Sequence, residues 1–134
     1  MKLGLNLGCG NQPSQTTPEI RWVNFEPYYK YGDKRLSWSY SQYEVMDEKM
    51  QDIDKFFSNE TVDKIFIVHS LEHISQDDSV DVTNKCYKIL KDGGQLEIEV
   101  PNMDVACRHW LDGDCLHDTI SGMIWGGKGE DGEG

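Results

Sequence analysis

Cations are scarce in this sequence: 13 lysines and arginines stand against 24 acidic residues, for a formal charge of -11 over 134 residues. Such a surface repels a phosphate backbone unless its few cations gather on one face. No Lys/Arg cluster is visible, so nucleic acid drops out as a substrate. Long apolar runs are missing as well, and nothing approaches the length of a membrane span. The start Met1-Lys2-Leu3-Gly4-Leu5 is not a signal peptide, and a cytoplasmic location is expected. The four cysteines, Cys9, Cys86, Cys107 and Cys115, show no C-x-x-C spacing. Neither a zinc knuckle nor a disulfide framework is indicated, and the thiols are read as reduced.

What is present fits one globular domain with a single site: 37% apolar residues in short bursts and 28% charged residues. Leu3, Leu5 and Leu7 alternate into Gly8-Cys9-Gly10, the pattern of a strand entering a glycine turn. Residues 11–21 carry Pro13, Pro18 and several hydroxyl residues, which predicts a tight or irregular link rather than a helix. Trp22-Val23-Asn24-Phe25 reads as a second strand ending on Glu26-Pro27. Residues 28–40 have no clear period and read as a loop able to cover a ligand. Residues 43–46 predict a third strand, with an acidic segment after it. The VDKIFIV run at 62–68 reads as a strand buried on both faces. Ser75 and Asp78 resemble a capping box, followed by Val82, Cys86, Ile89 and Leu90 at helical spacing, with Gly93-Gly94 as the stop. Leu96, Ile98 and Val100 alternate into Pro101. Two short helices are expected at 104–111 and 119–125. Residues 126–134, mostly glycine and acid, predict a flexible tail beyond a domain at 1–125.

Strands alternating with crossovers predict an α/β fold with a mainly parallel, Rossmann-like sheet of about five strands flanked by helices, whose ligands bind beyond the carboxyl ends of the strands. Glycine lets the backbone turn sharply after strand one, and a carboxylate after strand two can accept both hydroxyls of a ribose. Gly8, Gly10 and Glu26 therefore suit any adenosine-bearing cofactor. A dinucleotide site would need a third glycine where Pro13 stands and a helix to receive the pyrophosphate. Both are missing, which disfavours NAD.

The ordered segments Leu5-Asn6-Leu7-Gly8-Cys9-Gly10-Asn11, Trp22-Val23-Asn24-Phe25-Glu26, Val62-Asp63-Lys64-Ile65, His69-Ser70-Leu71-Glu72-His73, Ile89-Leu90-Lys91-Asp92-Gly93-Gly94 and Ile98-Glu99-Val100-Pro101 resemble class I methyltransferases over about residues 3–127. They are most similar to the compact bacterial and phage type, which is often linked to cell-surface or sugar modification. The resemblance implies S-adenosylmethionine as cofactor and S-adenosylhomocysteine as product. Asn6, Leu7, Gly8, Cys9, Gly10 and Asn11 would wrap its methionine end, and Glu26, followed by Pro27, would bind the ribose. Either Asp47 or Asp52, the latter with Ile53, would meet the adenine. His69, Ser70 and Leu71 would lie beside the sulfonium. A general base is optional in this chemistry, and His73 with Glu72 is the candidate pair. The acceptor is expected to be a small molecule or a cell-surface-type group.

Two alternatives carry their own signatures. His69-x-x-Glu72-His73 also fits the H-x-x-E-H zinc peptidase pattern, but that site needs both histidines on one helix. His69 instead ends a β-type run, so no metal is expected. The resemblance also implies two further sheet strands beyond this chain, which leaves a fragment, a reduced form or a homo-oligomer that completes the sheet. A protein that binds S-adenosylmethionine or its product without turnover is the corresponding alternative. Trp110, Met123, Ile124 and Trp125 read as core or covering contacts, and His109 and His117 as exposed.

Overall fold

A computed structural model describes residues 1–10, 12–27 and 42–113. The expected loop at 28–40, the helix at 119–125 and the tail at 126–134 lie outside the described residues, as do Asn11, Cys115, His117, Met123, Ile124 and Trp125.

Five strands form one sheet: β1 Lys2–Leu7, β2 Ile20–Phe25, β3 Val45–Met46, β4 Val62–Val68 and β5 Leu90–Glu99. Helix α1, Gln76–Ile89, connects β4 to β5, and α2, Met103–Asp112, follows β5. The strand order is β3-β2-β1-β4-β5 and every pairing is parallel. The chain moves outward from β1 to β3, then crosses back to the other side of β1. Loops leaving β1 and β4 therefore part in opposite directions, which opens a crevice at their carboxyl ends. Among the described residues, no helix is long and apolar enough to cross a membrane.

Strand alternation sorts the side chains. Leu5, Leu7, Val23, Phe25, Ile65 and Ile67 are fully or almost fully buried, and they share the core with Val82, Cys86 and Ile89 of α1 and with Met50 and Ile53. On the opposite face, Trp22 lies across Gly4, where an added Cβ would come within 2.7 Å of the indole ring. It thereby reaches Phe66 on β4, with the rings stacked at 4.6 Å. The 62–68 run is thus not buried on both faces: Val62, Ile65 and Ile67 are buried, whereas Lys64, Phe66 and Val68 are half-exposed. The reason is that α1 packs on the core side, leaving Phe66 to the Trp22 stack.

The link between β1 and β2 is irregular, as its prolines require, and side chains hold it. Asn24 Nδ2 donates to Ser14 O at 3.0 Å while Ser14 N–H donates to Asn24 Oδ1 at 2.7 Å, so a side-chain amide substitutes for a neighbouring backbone. Asn6, the β1 partner of Asn24 in register, donates to Gln12 O and Ser14 Oγ. The Thr16 hydroxyl takes the Trp22 N–H at 2.9 Å and reaches the Trp22 carbonyl at 3.4 Å. That contact occupies the β2 edge beside Trp22, so β3 pairs only with Asn24 and Phe25 and is shorter than the predicted 43–46. Asn24→Ala removes both hydrogen bonds of the Ser14 backbone and is expected to destabilise the fold by about 2 kcal/mol in urea denaturation. An unchanged midpoint would show that the amide pair is dispensable.

Helix α1 begins as predicted, with Ser75 Oγ accepting from Asp78 N–H at 3.1 Å. It stops at Ile89, before the glycines. Its last carbonyls are taken by the chain entering β4: Glu60 N–H donates to Lys88 O and Thr61 N–H to Ile89 O, at 3.0 and 2.9 Å. Leu90 then pairs with Val62. Gly93 and Gly94 fall inside β5, where four residues stand opposite Asp63 alone before the register resumes at Lys64 and Gln95. Asp63 ties this irregularity down. The Leu3 N–H donates to its carboxylate at 2.8 Å and Lys91 Nζ lies at 3.3 Å, and the two hold it below the usual carboxylate range. In α2 only Ala106 is buried; Trp110 is 49% exposed rather than core, and His109 is half-buried rather than exposed.

Candidate active site

The crevice is built from the ends of β1, β2 and β4. Leu7 ends β1, and the backbone turns through Gly8 at φ +68° and Gly10 at φ +51°, conformations that side chains with a Cβ rarely adopt. Gly8 and Cys9 donate their N–H groups to Phe25 O at 2.9 and 3.1 Å, which folds the loop over the end of β2. Gly10 N–H donates to Glu26 Oε2 at 2.9 Å. Glu26 is only 4% exposed, yet it sits directly after β2.

Close approach from β4 explains Gly8 further. Ser70 is buried and its hydroxyl donates to Leu7 O at 3.0 Å. A Cβ on Gly8 would lie 2.8 Å from Ser70 Cβ and 3.1 Å from Met50 Cε. A Cβ on Gly10 would meet nothing within 4 Å. The loop thus packs one glycine against the protein and turns the other toward open space. Cys9 faces inward: burial first, then the charge of Glu26, pushes its thiol up to about 12, which leaves it an inert thiol rather than a nucleophile.

The candidate residues separate into groups. Asn6 is turned away to the 12–14 link and helps to hold it. Leu7 is buried in the core beneath the loop, while Pro27 is half-buried after Glu26. Asp47 follows β3 directly, beside Met46, whose carbonyl accepts from Glu26 N–H at 3.0 Å. Asp52 lies in the 3-10 turn Met50–Lys55, paired with Lys55 at 3.1 Å, and Ile53 is wholly buried with no surface to offer a ligand. His69 leaves β4 at φ +52°, donates its N–H to Glu99 O at 2.8 Å, and holds Nε2 3.9 Å from Glu99 Oε2. Leu71, Glu72 and His73 form a single 3-10 turn. His73 Nε2 lies 3.7 Å from Glu72 Oε1, and the Glu72 side chain is only 15% exposed. The two histidines of the H-x-x-E-H pattern therefore share no helix, and each turns to a different glutamate. Among the described residues, no group of three or more His, Cys, Asp or Glu could hold a metal ion.

Sequence reasoning missed the Gly8–Ser70 contact, because the partners are far apart in the chain. It also missed the hydrogen-bonding tasks of Asn6 and Asn24. The signal for the latter was available: two asparagines at interior strand positions need partners for their amides.

The methyltransferase domain family matches this sequence over residues 5–98, which takes in every element from β1 into β5. The chain belongs to that family. Solved methyltransferase structures show the same fold at low identity. The plantazolicin methyltransferase BamL, solved with S-adenosylhomocysteine and a triazolic analogue, superposes with a TM-score of 0.59 at 14% identity, over 93% of this chain and 48% of its own. An arsenic(III) S-adenosylmethionine methyltransferase from Chlamydomonas reinhardtii gives 0.52 at 15% identity, over 86% and 46%. A SAM-dependent methyltransferase from Archaeoglobus fulgidus gives 0.52 at 16% identity, over 67% and 40%. This methyltransferase-family chain thus spans less than half the length of these three. No curated protein matches the sequence significantly.

Proposed function

We propose that this methyltransferase domain binds S-adenosylmethionine at the Gly8–Gly10 loop and directs its methyl group to a small-molecule acceptor. One observation carries the reading: a doubly left-handed glycine loop, bare toward open space at Gly10, is bonded to a buried carboxylate at the end of the neighbouring strand. The residues fit the group. The N–H groups of Gly8, Cys9 and Gly10 are spent on Phe25 O and Glu26, so the loop offers its carbonyls to the ammonium of the amino acid end, and Glu26 accepts from the ribose hydroxyls. Asp47, which directly follows β3 at its carboxyl end, takes the adenine amino group, whereas Asp52 stands further along the chain in a 3-10 turn. The 69–71 backbone lies on the sulfonium side.

When bound, S-adenosylmethionine would supply an electrophilic methyl carbon to the acceptor's lone pair, with the electron pair of the broken carbon–sulfur bond left on sulfur in S-adenosylhomocysteine. This chain's contribution is alignment, which can lower such a barrier by about 7–11 kcal/mol in well-oriented cases. His73 takes the proton the acceptor sheds, and the Glu72 carboxylate beside it stabilises the imidazolium that results.

The test is calorimetric titration with S-adenosylhomocysteine. The parent chain binds, and Glu26→Ala weakens binding by about 1.5–3 kcal/mol, the range for hydrogen bonds to charged groups. Equal affinities would sink the ribose assignment.

A further inference from the structure

Leu71 and Glu72, which follow Ser70 in the chain, also line a groove of about 450 Å³. Its walls are mainly apolar, from Leu71, Ile74, Val100, Pro101, Met103 and Ala106. Among the described residues Gln76, Ser79 and Glu72 are its polar members, and of these Glu72 alone is charged. The Oε1 atom of Glu72 faces His73, whereas Oε2 is buried and has no hydrogen-bond partner among the described residues. A shielded carboxylate oxygen lacking a donor is an unfavourable arrangement that a native protein keeps for a reason. The last torsion of a glutamate side chain is soft, so a small rotation offers this oxygen to a guest in the groove.

We infer that this groove is the acceptor subsite, and that it selects an amphipathic amine whose apolar body packs on Val100, Pro101, Met103 and Ala106 while its ammonium or N–H donates to Glu72. The inference rests on the proposed methyl transfer and narrows its acceptor class. Charge around the groove points the same way. Asp77 and Asp78 stand in the first turn of α1, Asp104 in the first turn of α2, and Glu99 at the end of β5. Among the described residues no lysine or arginine lines the groove, and Arg108 pairs with Asp104 at 3.1 Å, which leaves Asp77, Asp78 and Glu99 to set the local charge. An anionic acceptor would enter against this field and leave Glu72 without a donor, while a neutral apolar one would leave the same oxygen unrelieved.

The test uses two probes of matched size, 2-phenylethylamine and 3-phenylpropionate, titrated into the full chain with and without S-adenosylhomocysteine. Binding is followed by NMR shifts of the Val100, Met103 and Ala106 methyl groups. The amine is expected to shift these signals with an affinity at least about tenfold above that of the carboxylate, which corresponds to about 1.4 kcal/mol. Glu72→Gln should reduce the preference to within about twofold. Gln76 is exposed at the start of α1, so Gln76→Lys keeps the fold and should reverse the preference. No shift at these methyls, equal binding of both probes, or an amine preference that survives Glu72→Gln overturns the inference. Calorimetry with S-adenosylhomocysteine reports separately on the glycine loop: amine selectivity without cofactor binding would retain the groove and discard the cofactor reading, and cofactor binding without amine selectivity would do the reverse.

Discussion

Gly8→Ala is expected to lower the free energy of unfolding by about 2–4 kcal/mol and to remove most of the affinity for S-adenosylhomocysteine. Two causes add. At φ +68° an alanine is strained wherever its methyl points, and here the methyl also meets Ser70 Cβ at 2.8 Å. Ser70 cannot simply swing aside, because its hydroxyl is held on the Leu7 carbonyl at 3.0 Å. Relief therefore requires β1 and β4 to part at the crevice, which also displaces the Gly8 and Cys9 amides from Phe25 O. Gly10→Ala is the matched control. Its φ of +51° brings strain alone, about 1–2 kcal/mol, since the added methyl meets no protein atom. Urea denaturation of both variants decides the matter: equal losses would mean that the Ser70 contact does not govern position 8.

Phe25→Ala should be the more damaging to stability, by about 3–5 kcal/mol. The ring is completely buried and lies at the centre of an aromatic group, 6.3 Å from Phe56 and 6.1 Å from Phe57. Removing it leaves a void beneath the strand end whose carbonyl carries the glycine loop, and the neighbouring strands cannot collapse into it without breaking register. The carbonyl itself is unchanged, so in the fraction that remains folded the affinity for S-adenosylhomocysteine should fall much less than stability does. A loss under about 1 kcal/mol would show that Phe56 and Phe57 refill the space. The same variant would lose affinity in step with stability if the loop depended on the ring rather than on the backbone.

Much of this was legible in the chain of residues. Alternation in Leu3, Leu5 and Leu7, the apolar run at 62–68 and the Ser75 cap lie on the scale of one element, where periodicity and capping act directly. The glycine loop and Glu26 were legible for the same reason, since each stands at the visible end of a strand. Features set by distant partners were not. The length of β3 depends on Thr16 occupying the β2 edge, and the end of α1 depends on Glu60 and Thr61 arriving at its carbonyls. Gly93-Gly94 is a sound helix stop in isolation, yet Leu90 had already been captured by Val62. At the site, Asp47 and Asp52 differ little in sequence context. Only the folded chain shows Asp52 paired with Lys55 in a 3-10 turn while Asp47 directly follows β3.

The bond from Ser70 to the Leu7 carbonyl joins residues 63 positions apart. The cradle at Gly8 consequently has no existence in the unfolded chain, not even as a local turn of the right shape. Thermodynamic linkage then ties occupancy to the whole fold: a ligand present at a hundred times its dissociation constant raises global stability by about 2.7 kcal/mol. Under the proposed cofactor binding, a small sheet whose glycine loop is clasped between its first and fourth strands would owe part of its folded lifetime to the level of that ligand.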